Sequence, residues 1–348
     1  SDTQIGLMTG LAFALFYTAL GLPIARYADR PTTNRPRLIA IALATWSAMT
    51  ALCGLANNFI QLLLARIGVG VGEAGCTPPA HSLISDIVPP EKRSSALAFY
   101  ALGIPVGTLL GMLIGGFLAD WVGWRRAFLV VGLPGVALAL IVVWLLKEPR
   151  LSMARAEPSQ AETTTKPLLM FAAMRSLLRS RAFVLLVAAG SAAAFLAYGK
   201  TTWTTIFFQR THGLTPGEVG FWFGVVNGAA GIAGAVLGGW LADRYGATNR
   251  RHVLTAPAIG MAVAAPIAFL AYQAASWQVA LVLLIAPTLL NSLYYGPTYS
   301  AAQGLVPLRA RAVASATVLF FQNLIGLGLG PLFFGMLSDM LQPSFGED

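Results

Sequence analysis

The sequence predicts an all-α membrane protein built from two similar bundles of helices, and three observations support this prediction. Of its 348 residues, 56% are hydrophobic and 11% are charged, whereas a soluble domain has about 25% charged residues. The apolar residues form ten runs, each long enough to cross a hydrocarbon core about 30 Å thick. Landmark residues also recur 218 positions later, which indicates two halves with one plan: Arg26, Pro79, Pro89 and Arg93 reappear as Arg244, Pro297, Pro307 and Arg311.

The ten apolar runs define the predicted helices. Because lipid offers no water to unpaired backbone groups, a spanning segment is either a helix or a strand of a closed barrel. The polar–apolar alternation that barrel strands need does not occur in these runs. We therefore predict helices over residues 4–25, 38–57, 59–88, 94–119, 126–146, 182–209, 217–242, 253–274, 277–306 and 312–341.

The repeat also predicts what a complete arrangement would contain. Shifted by 218 residues, the helix at 182–209 maps before residue 1 and the helix at 126–146 maps mostly beyond residue 348. We therefore expect twelve helices in a six-plus-six arrangement, of which this chain supplies ten, with the first and the last missing.

Composition also predicts the domain boundaries and the orientation in the membrane. We expect an N-terminal helical bundle at residues 1–147, a linker at 148–181 and a C-terminal helical bundle at 182–348. Residues 167–181 carry an apolar stripe opposite three arginines, as an interfacial helix does. Most Lys and Arg residues lie on the same side as this linker, which predicts that residues 148–181 are cytoplasmic in a multi-pass protein of the inner or plasma membrane.

Several functions find no support in the sequence. The net charge of +9 reflects the charge bias of a membrane topology, so we expect no nucleic-acid partner. Gly70, Gly72 and Gly75 match a dinucleotide-binding pattern, but that pattern needs a preceding strand in a soluble βαβ unit. We find neither a metal-ligand cluster nor a nucleophile with its base. The expected protein is a monomer without cofactor, metal or enzymatic activity.

Glycines on the fourth predicted helix suggest how it packs. Gly103, Gly107, Gly111 and Gly115 recur at every fourth position, which leaves one helix face without side chains. Such a face usually lets another helix approach closely. We therefore expect tight helix packing along this stripe.

Charged residues inside the spans are the first candidates for function, because an ionisable group in a membrane usually faces a cavity or a partner. Glu73 and Arg66 lie seven residues apart, on one helix face and about 10 Å apart along the axis. Glu73 either carries protons or forms a permanent ion pair with Arg66. The residue 218 positions after Glu73 is Asn291, another polar group.

Two further groups have alternative roles. Lys200, beside Tyr198 and Trp203, either binds an anionic group together with Arg66 or extends its ammonium to the membrane interface. His81 follows two prolines at a predicted helix irregularity, where a histidine is more often a packing residue than a proton relay.

Two motifs resemble those of a known family. The segment Gly239-Trp-Leu-Ala-Asp243-Arg244-Tyr-Gly246 resembles the cytoplasmic loop motif of the major facilitator superfamily, and the glycine stripe that ends at Gly115-Gly116 resembles its fifth-helix motif. The resemblance implies the superfamily fold of two pseudo-symmetric six-helix bundles. The first-half copy of the loop motif has Ala25 where an Asp is expected, and Asp29 is the candidate to replace it.

A narrower resemblance suggests the substrate class. The segments Gly72-Glu73-Ala74, Ile84-Ser85-Asp86 and Phe99-Tyr100-Ala-Leu-Gly-Ile-Pro105-Val-Gly107 are similar to the spinster-like branch. This branch is associated with export of sphingolipids or lysophospholipids and with proton coupling. The resemblance implies that Arg66 and Glu73 match its buried charge pair.

Together, these patterns predict a secondary active transporter that moves an amphiphilic lipid, such as sphingosine-1-phosphate or a lysophospholipid, by proton-coupled alternating access. Its partners would be this substrate, protons and the bilayer. The alternatives are a transporter of small organic ions or drugs and a lipid-sensing receptor without transport. Candidate residues are Glu73 and Arg66 for proton coupling; Arg66, Glu73, Lys200, Asn291 and Tyr294 for substrate binding; and Asp29, Arg30, Asp243 and Arg244 for gating.

Overall fold

The structure, a computed structural model, describes residues 1–28, 30, 32–89, 96, 99–100, 103–150, 174–246, 250–306 and 311–345. These residues form helices and their connections, with no strand among them. Within this part of the chain, nine helices are long and apolar enough to cross a membrane, and Val106–Val122 forms a shorter apolar helix. The ten predicted spans are thus confirmed in order, and most of the start of the fourth, at residues 94–102, lies outside the described residues.

The helices fall into two compact units. The first comprises Ser1–Ile104 and Leu118–Thr163, and the second comprises Pro105–Phe117 and Thr164–Asp348. In chain order up to the linker, the helices are α1 (Asp2–Gly6), α2 (Ala12–Ala28), α3 (Arg35–Leu55), α4 (Phe59–Glu73), α5 (Thr77–Ile87), α6 (Gly103–Val122) and α7 (Trp124–Leu145). After the linker they are α8 (Arg181–Arg210), α9 (Pro216–Gly246), α10 (Thr255–Tyr272), α11 (Trp277–Ser292), α12 (Tyr295–Gly304), α13 (Arg311–Phe321) and α14 (Gly330–Phe345).

Two π-helices lie within the first and last spans. Leu7–Leu11 joins α1 to α2, and Gln322–Leu329 joins α13 to α14. The predicted interfacial helix at 167–181 lies partly outside the described residues, and its described part is helical over residues 174–177.

Side-chain caps explain where several spans begin. The Asn34 side chain accepts a hydrogen bond from the backbone N–H of Arg37 at 3.0 Å, at the start of α3. Asn58 accepts one from Gln61 at 2.9 Å, at the start of α4. Such caps satisfy N–H groups that the first helical turn leaves without partners.

Two helix breaks repeat at equivalent positions. The third predicted span, at residues 59–88, is interrupted between α4 and α5 at residues 74–76, before Pro78 and Pro79. The equivalent span of the second half is interrupted between α11 and α12 at residues 293–294. A shift of 218 residues carries 74–76 onto 292–294, so the repeat extends to local backbone geometry. The helix irregularity predicted near His81 is confirmed.

Glycines bring the helices of the first unit close together. A Cβ atom on Gly72 of α4 would lie 2.5 Å from the backbone N of Trp46 on α3. On the other side of α3, a Cβ on Gly132 of α7 would lie 2.5 Å from the backbone N of Ala51. Both distances are too short for a real side chain, so α4 and α7 contact α3 through backbone at these points.

The predicted packing of the α6 glycine stripe is wrong for the described residues. A Cβ on Gly103, Gly107, Gly111 or Gly115 would have no described atom within 4 Å. The close contact in the second unit is made instead by the next residue, Gly116, against the backbone carbonyl of Pro216 on α9. One residue corresponds to about 100° around a helix, so α9 packs beside the glycine stripe and leaves it open.

Candidate functional site

In the first unit, aromatic rings of α2 lie alongside the two charged residues of α4. The Arg66 guanidinium lies 5.8 Å from the centroid of the Phe13 ring. Phe13 in turn stacks on Tyr17, with ring centroids 5.6 Å apart and planes inclined by 15°. Tyr17 interacts electrostatically with Glu73. The two α2 rings therefore lie alongside the stretch of α4 between Arg66 and Glu73.

Arg66 and Glu73 do not form a salt bridge in this structure. The three salt bridges among the described residues involve other side chains, and Glu73 is half-buried at the end of α4. The permanent ion pair considered from the sequence is therefore not formed here. The role of Glu73 in proton coupling stays a prediction.

Polar side chains surround the break that follows Glu73. Thr77 makes polar contacts with the phenols of both Tyr17 and Tyr100. The Tyr100 ring also meets the His81 ring edge to face, with centroids 5.1 Å apart. Tyr17, Thr77 and Tyr100 were not among the sequence-derived candidates, because none carries a charge; hydroxyl groups in an apolar span were the available signal.

In the second unit, Lys200 of α8 lies against α11. Its ammonium donates a hydrogen bond to the Thr288 hydroxyl at 3.3 Å, and no described carboxylate lies within 4.0 Å of it. Asn291 is half-buried one turn further along α11. Tyr294 is buried in the adjoining break and stacks on Tyr295, with ring centroids 4.4 Å apart. Lys200 and the α11 candidates therefore lie in one region of this unit.

A neutral polar network, which the sequence analysis missed, lies at the first residue of the second π-helix. The Tyr299 hydroxyl donates to Gln322 Oε1 at 2.8 Å, and Gln322 Nε2 donates to the Gly190 carbonyl at 3.5 Å. Gln322 is 4% exposed. The hydrogen bonds satisfy an amide that would be costly to bury alone, and π-helical segments frequently occur at functional sites.

A charged cluster joins helix ends of the first unit, and the sequence analysis missed it as well. The side chain of Arg35, at the start of α3, is fully buried and donates to both carboxylate oxygens of Glu148. It also donates to Asp86 at 2.7 Å, and Asp86 accepts a second bond of 2.7 Å from Arg150. The sequence feature that could have predicted this cluster is the presence of oppositely charged residues at span ends on one side of the membrane.

Hydrogen bonding determines the ionisation of Glu148, which lies beyond the end of α7. Burial alone raises the pKa of this carboxyl group. The hydrogen bonds from the Arg35 side chain and from the backbone N–H groups of Arg35 and Arg150 outweigh burial, so the pKa of Glu148 is lower than usual.

The gating candidates are only partly described. Asp29 lies outside the described residues. The guanidinium of Arg30 lies 5.4 Å from the Tyr27 ring centroid, and that of Arg244 lies 5.1 Å from the Trp240 ring centroid. Asp243 lines a cavity of about 810 Å³ in the second unit. None of these residues takes part in a described salt bridge, and their gating role stays a prediction.

Comparison with known proteins determines the family. The sequence profile of the Major Facilitator Superfamily matches residues 1–331. The chain belongs to the major facilitator superfamily. A crystal structure of a bacterial homologue of the human lysosomal transporter Spinster, inward-facing and unoccupied, is similar with a TM-score of 0.86 and 34% identity. That similarity covers 99% of this chain and 76% of the bacterial homologue.

Characterised relatives agree with this assignment. An MFS-type efflux pump of Mycolicibacterium smegmatis is 35% identical, over 99% of this chain and 78% of the pump. Human protein spinster homolog 1 is 28% identical, over 99% of this chain and 68% of the human protein. This member of the superfamily is therefore a transporter of the Spinster type and a multi-pass integral membrane protein.

Proposed function

We propose that the protein moves an amphiphilic lipid with an anionic head group by alternating access, and that proton movement through Glu73 drives the transport. The observation that carries this proposal is the setting of Lys200, a partly buried cation in a membrane span whose described polar contact is a neutral hydroxyl. A sphingosine-1-phosphate-like or lysophospholipid-like molecule would supply the missing negative charge.

The energetics of a buried cation support an anionic ligand. A charged group removed from water is stabilised by an opposite charge, and without one it costs several kcal/mol in order of magnitude. A hydrogen bond to Thr288 offsets only part of this cost. A phosphate head group on Lys200 would offset more, with the amide of Asn291 and the phenol of Tyr294 as neutral hydrogen-bonding groups nearby.

The surroundings of Glu73 support a role in proton coupling. Its carboxyl group ends α4 at a helix break, and it shares its helix with Arg66 without pairing to it in this structure. Discontinuous helices at equivalent positions of two repeats are typical of coupling and substrate sites in secondary transporters. A carboxyl group that exchanges protons there would couple their movement to the change of state, with Arg66 favouring the ionised form.

The gating residues complete the proposed cycle. Asp29 and Arg30, together with Asp243 and Arg244, would hold the ends of the two bundles together on the side predicted to be cytoplasmic. Residues 148–181 would lie on that same side. Opening and closing of this contact would alternate with opening on the other side of the membrane.

Uptake into liposomes tests the proposal. The protein is reconstituted and uptake of a fluorescent lysosphingolipid phosphate is followed with and without an imposed pH gradient, for wild type, Glu73→Gln, Lys200→Met and Lys200→Arg. We expect gradient-driven uptake in wild type, its loss in Glu73→Gln, and weaker substrate binding in Lys200→Met than in Lys200→Arg, which keeps the charge. Full gradient-driven uptake by Glu73→Gln would refute the coupling role.

A second candidate is a transporter of small organic ions or drugs. The similarity to the Mycolicibacterium smegmatis efflux pump favours it. Saturable transport of small organic ions, together with no uptake of the lysosphingolipid by wild type, would select this candidate. Lipid binding without any saturable uptake would instead indicate a sensor.

A further inference from the structure

A hydrogen bond between Lys200 and Thr288 joins two helices of the second unit. The Lys200 ammonium of α8 donates to the Thr288 hydroxyl of α11 at 3.3 Å. Lys200 is half-buried and Thr288 is 6% exposed. An ammonium group has three N–H donors, and Thr288 is its one hydrogen-bond partner among the described residues. Two N–H groups of Lys200 therefore have no acceptor in this part of the chain.

The Thr288 hydroxyl is used differently from other hydroxyl groups nearby. Thr201 and Thr202 of α8 donate to backbone carbonyls one turn earlier, at 2.8 and 3.1 Å. Ser292 of α11 likewise donates to the Thr288 carbonyl at 2.8 Å. The Thr288 hydroxyl accepts from Lys200 and donates to no described group. Because the bond from Lys200 occupies a lone pair of this oxygen, its O–H is directed away from the ammonium, and the pair presents donors together with a positive charge.

Hydrogen bonds hold α8 in place within about one turn of Lys200. The Trp203 indole N–H donates to the Pro331 carbonyl at 3.0 Å. The Thr204 and Tyr272 hydroxyl groups form a hydrogen bond of 2.6 Å. These contacts fasten α8 to α14 and α10, so the ammonium projects from a helix that is fixed on two further sides. Donors on fixed elements bind a ligand without first having to be ordered.

We propose that Lys200 and Thr288 form one oxyanion site, in which the ammonium and the hydroxyl donate to two oxygens of the same phosphate monoester. The proposal rests on the proposed transport of an amphiphile with an anionic head group. It adds Thr288 as a second residue that binds this head group.

The chemistry of a phosphate monoester suits this pair. Near neutral pH it carries a charge of about −1.5 to −2 and three acceptor oxygens. One oxygen can accept from Lys200 and another from Thr288, since the two donor atoms lie 3.3 Å apart. Charge-assisted hydrogen bonds of this kind are about twice as strong as those between neutral groups. A primary alcohol has one oxygen and no charge, so the pair should favour a phosphate over it.

Binding to the whole protein in detergent, measured by titration calorimetry, tests the site. The ligands are octyl phosphate, octanol and inorganic phosphate, which separate the contribution of the head group from that of the alkyl chain. We expect wild type to bind octyl phosphate more tightly than the other two. Thr288→Val should weaken octyl phosphate binding by roughly tenfold or more, because it removes a hydrogen bond to a charged group. Thr288→Ser keeps the hydroxyl and should bind like wild type.

A double-mutant cycle separates this role from a simple brace between α8 and α11. In a Lys200→Met background, Thr288→Val should weaken binding by less than about twofold, since a hydroxyl without the ammonium turns back to its own helix, as in Thr201 and Thr202. A brace would give the same factor in both backgrounds, and that result would overturn the site.

A matched control makes the same change elsewhere in the second unit. Thr317 is 2% exposed and its hydroxyl donates to the Val313 carbonyl at 2.7 Å. Thr317→Val should bind octyl phosphate like wild type, so a loss confined to Thr288→Val belongs to the site. An equal loss in both variants would indicate a general effect on packing and overturn the proposal.

The outcomes distinguish this site from the proposed function. If wild type favours octyl phosphate over octanol but Thr288→Val matches wild type, the role of Thr288 is overturned and an anionic amphiphile remains the proposed substrate. If inorganic phosphate binds as tightly as octyl phosphate and is equally weakened by Thr288→Val, the site stands and the lipid substrate is overturned. If wild type binds neither phosphate, both proposals fail.

Discussion

Replacing Glu148 by Gln should destabilise the first unit strongly, because each carboxylate oxygen of Glu148 accepts two hydrogen bonds. Oε2 accepts from the backbone N–H and the Nε–H of Arg35, both at 2.9 Å. Oε1 accepts from the Nη2 of Arg35 and from the backbone N–H of Arg150. A Gln side chain has one amide NH2 group, so either orientation of the amide places N–H groups against two donors.

The burial of this pair sets the magnitude. The side chains of Arg35 and Glu148 are 0% and 1% exposed, and removing one partner of a buried pair costs about 3–5 kcal/mol. At about 2–4 °C per kcal/mol for a domain of 150–250 residues, the melting temperature in detergent should fall by roughly 6–20 °C. Arg37→Gln is the matched control, because that side chain is exposed in the same first turn of α3, and it should melt like wild type.

Acidification provides the second half of this test. The pKa of Glu148 is lowered in the folded protein, so its stabilising contribution is complete above the ordinary carboxyl pKa of about 4.3 and is lost as the pH falls below it. The difference in melting temperature between wild type and Glu148→Gln should therefore be constant near neutral pH and narrow in acid. If Glu148→Gln has the same melting temperature as the Arg37→Gln control at neutral pH, the reasoning is refuted.

Two smaller predictions concern the second unit. Gly116→Ala should destabilise it by about 1–3 kcal/mol, because a Cβ atom would collide with the Pro216 carbonyl. The control Gly111→Ala should be neutral or stabilising by about 0.5–1 kcal/mol. Equal melting temperatures for these two variants would contradict the packing described. Tyr299→Phe should cost about 1–3 kcal/mol, since Gln322 Oε1 loses its donor, and thermal unfolding as stable as that of wild type would show that another donor replaces it.

Hydropathy predicted the spans because it is a local property of the sequence. A run of about twenty apolar residues is long enough to cross a membrane wherever it lies in the chain. The repeat likewise indicated equivalent positions, and the breaks near Glu73 and Asn291 obey it. The salt bridge between Arg35 and Glu148 was not predictable in this way. The two residues are 113 positions apart, and only the packing of α7 on α3 brings them together.

The α6 glycines show another limit of sequence patterns. Periodicity identifies a helix face, but the presence of a neighbour on that face depends on how the other helices pack. The sequence alone does not distinguish Gly111 from Gly116, but only Gly116 contacts the backbone of another helix. Hydroxyl groups such as those of Thr77 and Tyr100 were missed for a related reason, since neutral polar residues occur in many spans without a function.

The attachment of Glu148 and Arg150 to Arg35 and Asp86 bears on how the polypeptide can be divided. Both residues stand at the beginning of the connection between the halves, and their hydrogen bonds lie entirely within the first unit. A fragment that stops after Arg150 would therefore retain the ion pairs that fasten its last residues, whereas one that stops at Leu146 would leave a buried guanidinium without its carboxylate. Co-expression of complementary fragments should tolerate the first cut and fail at the second.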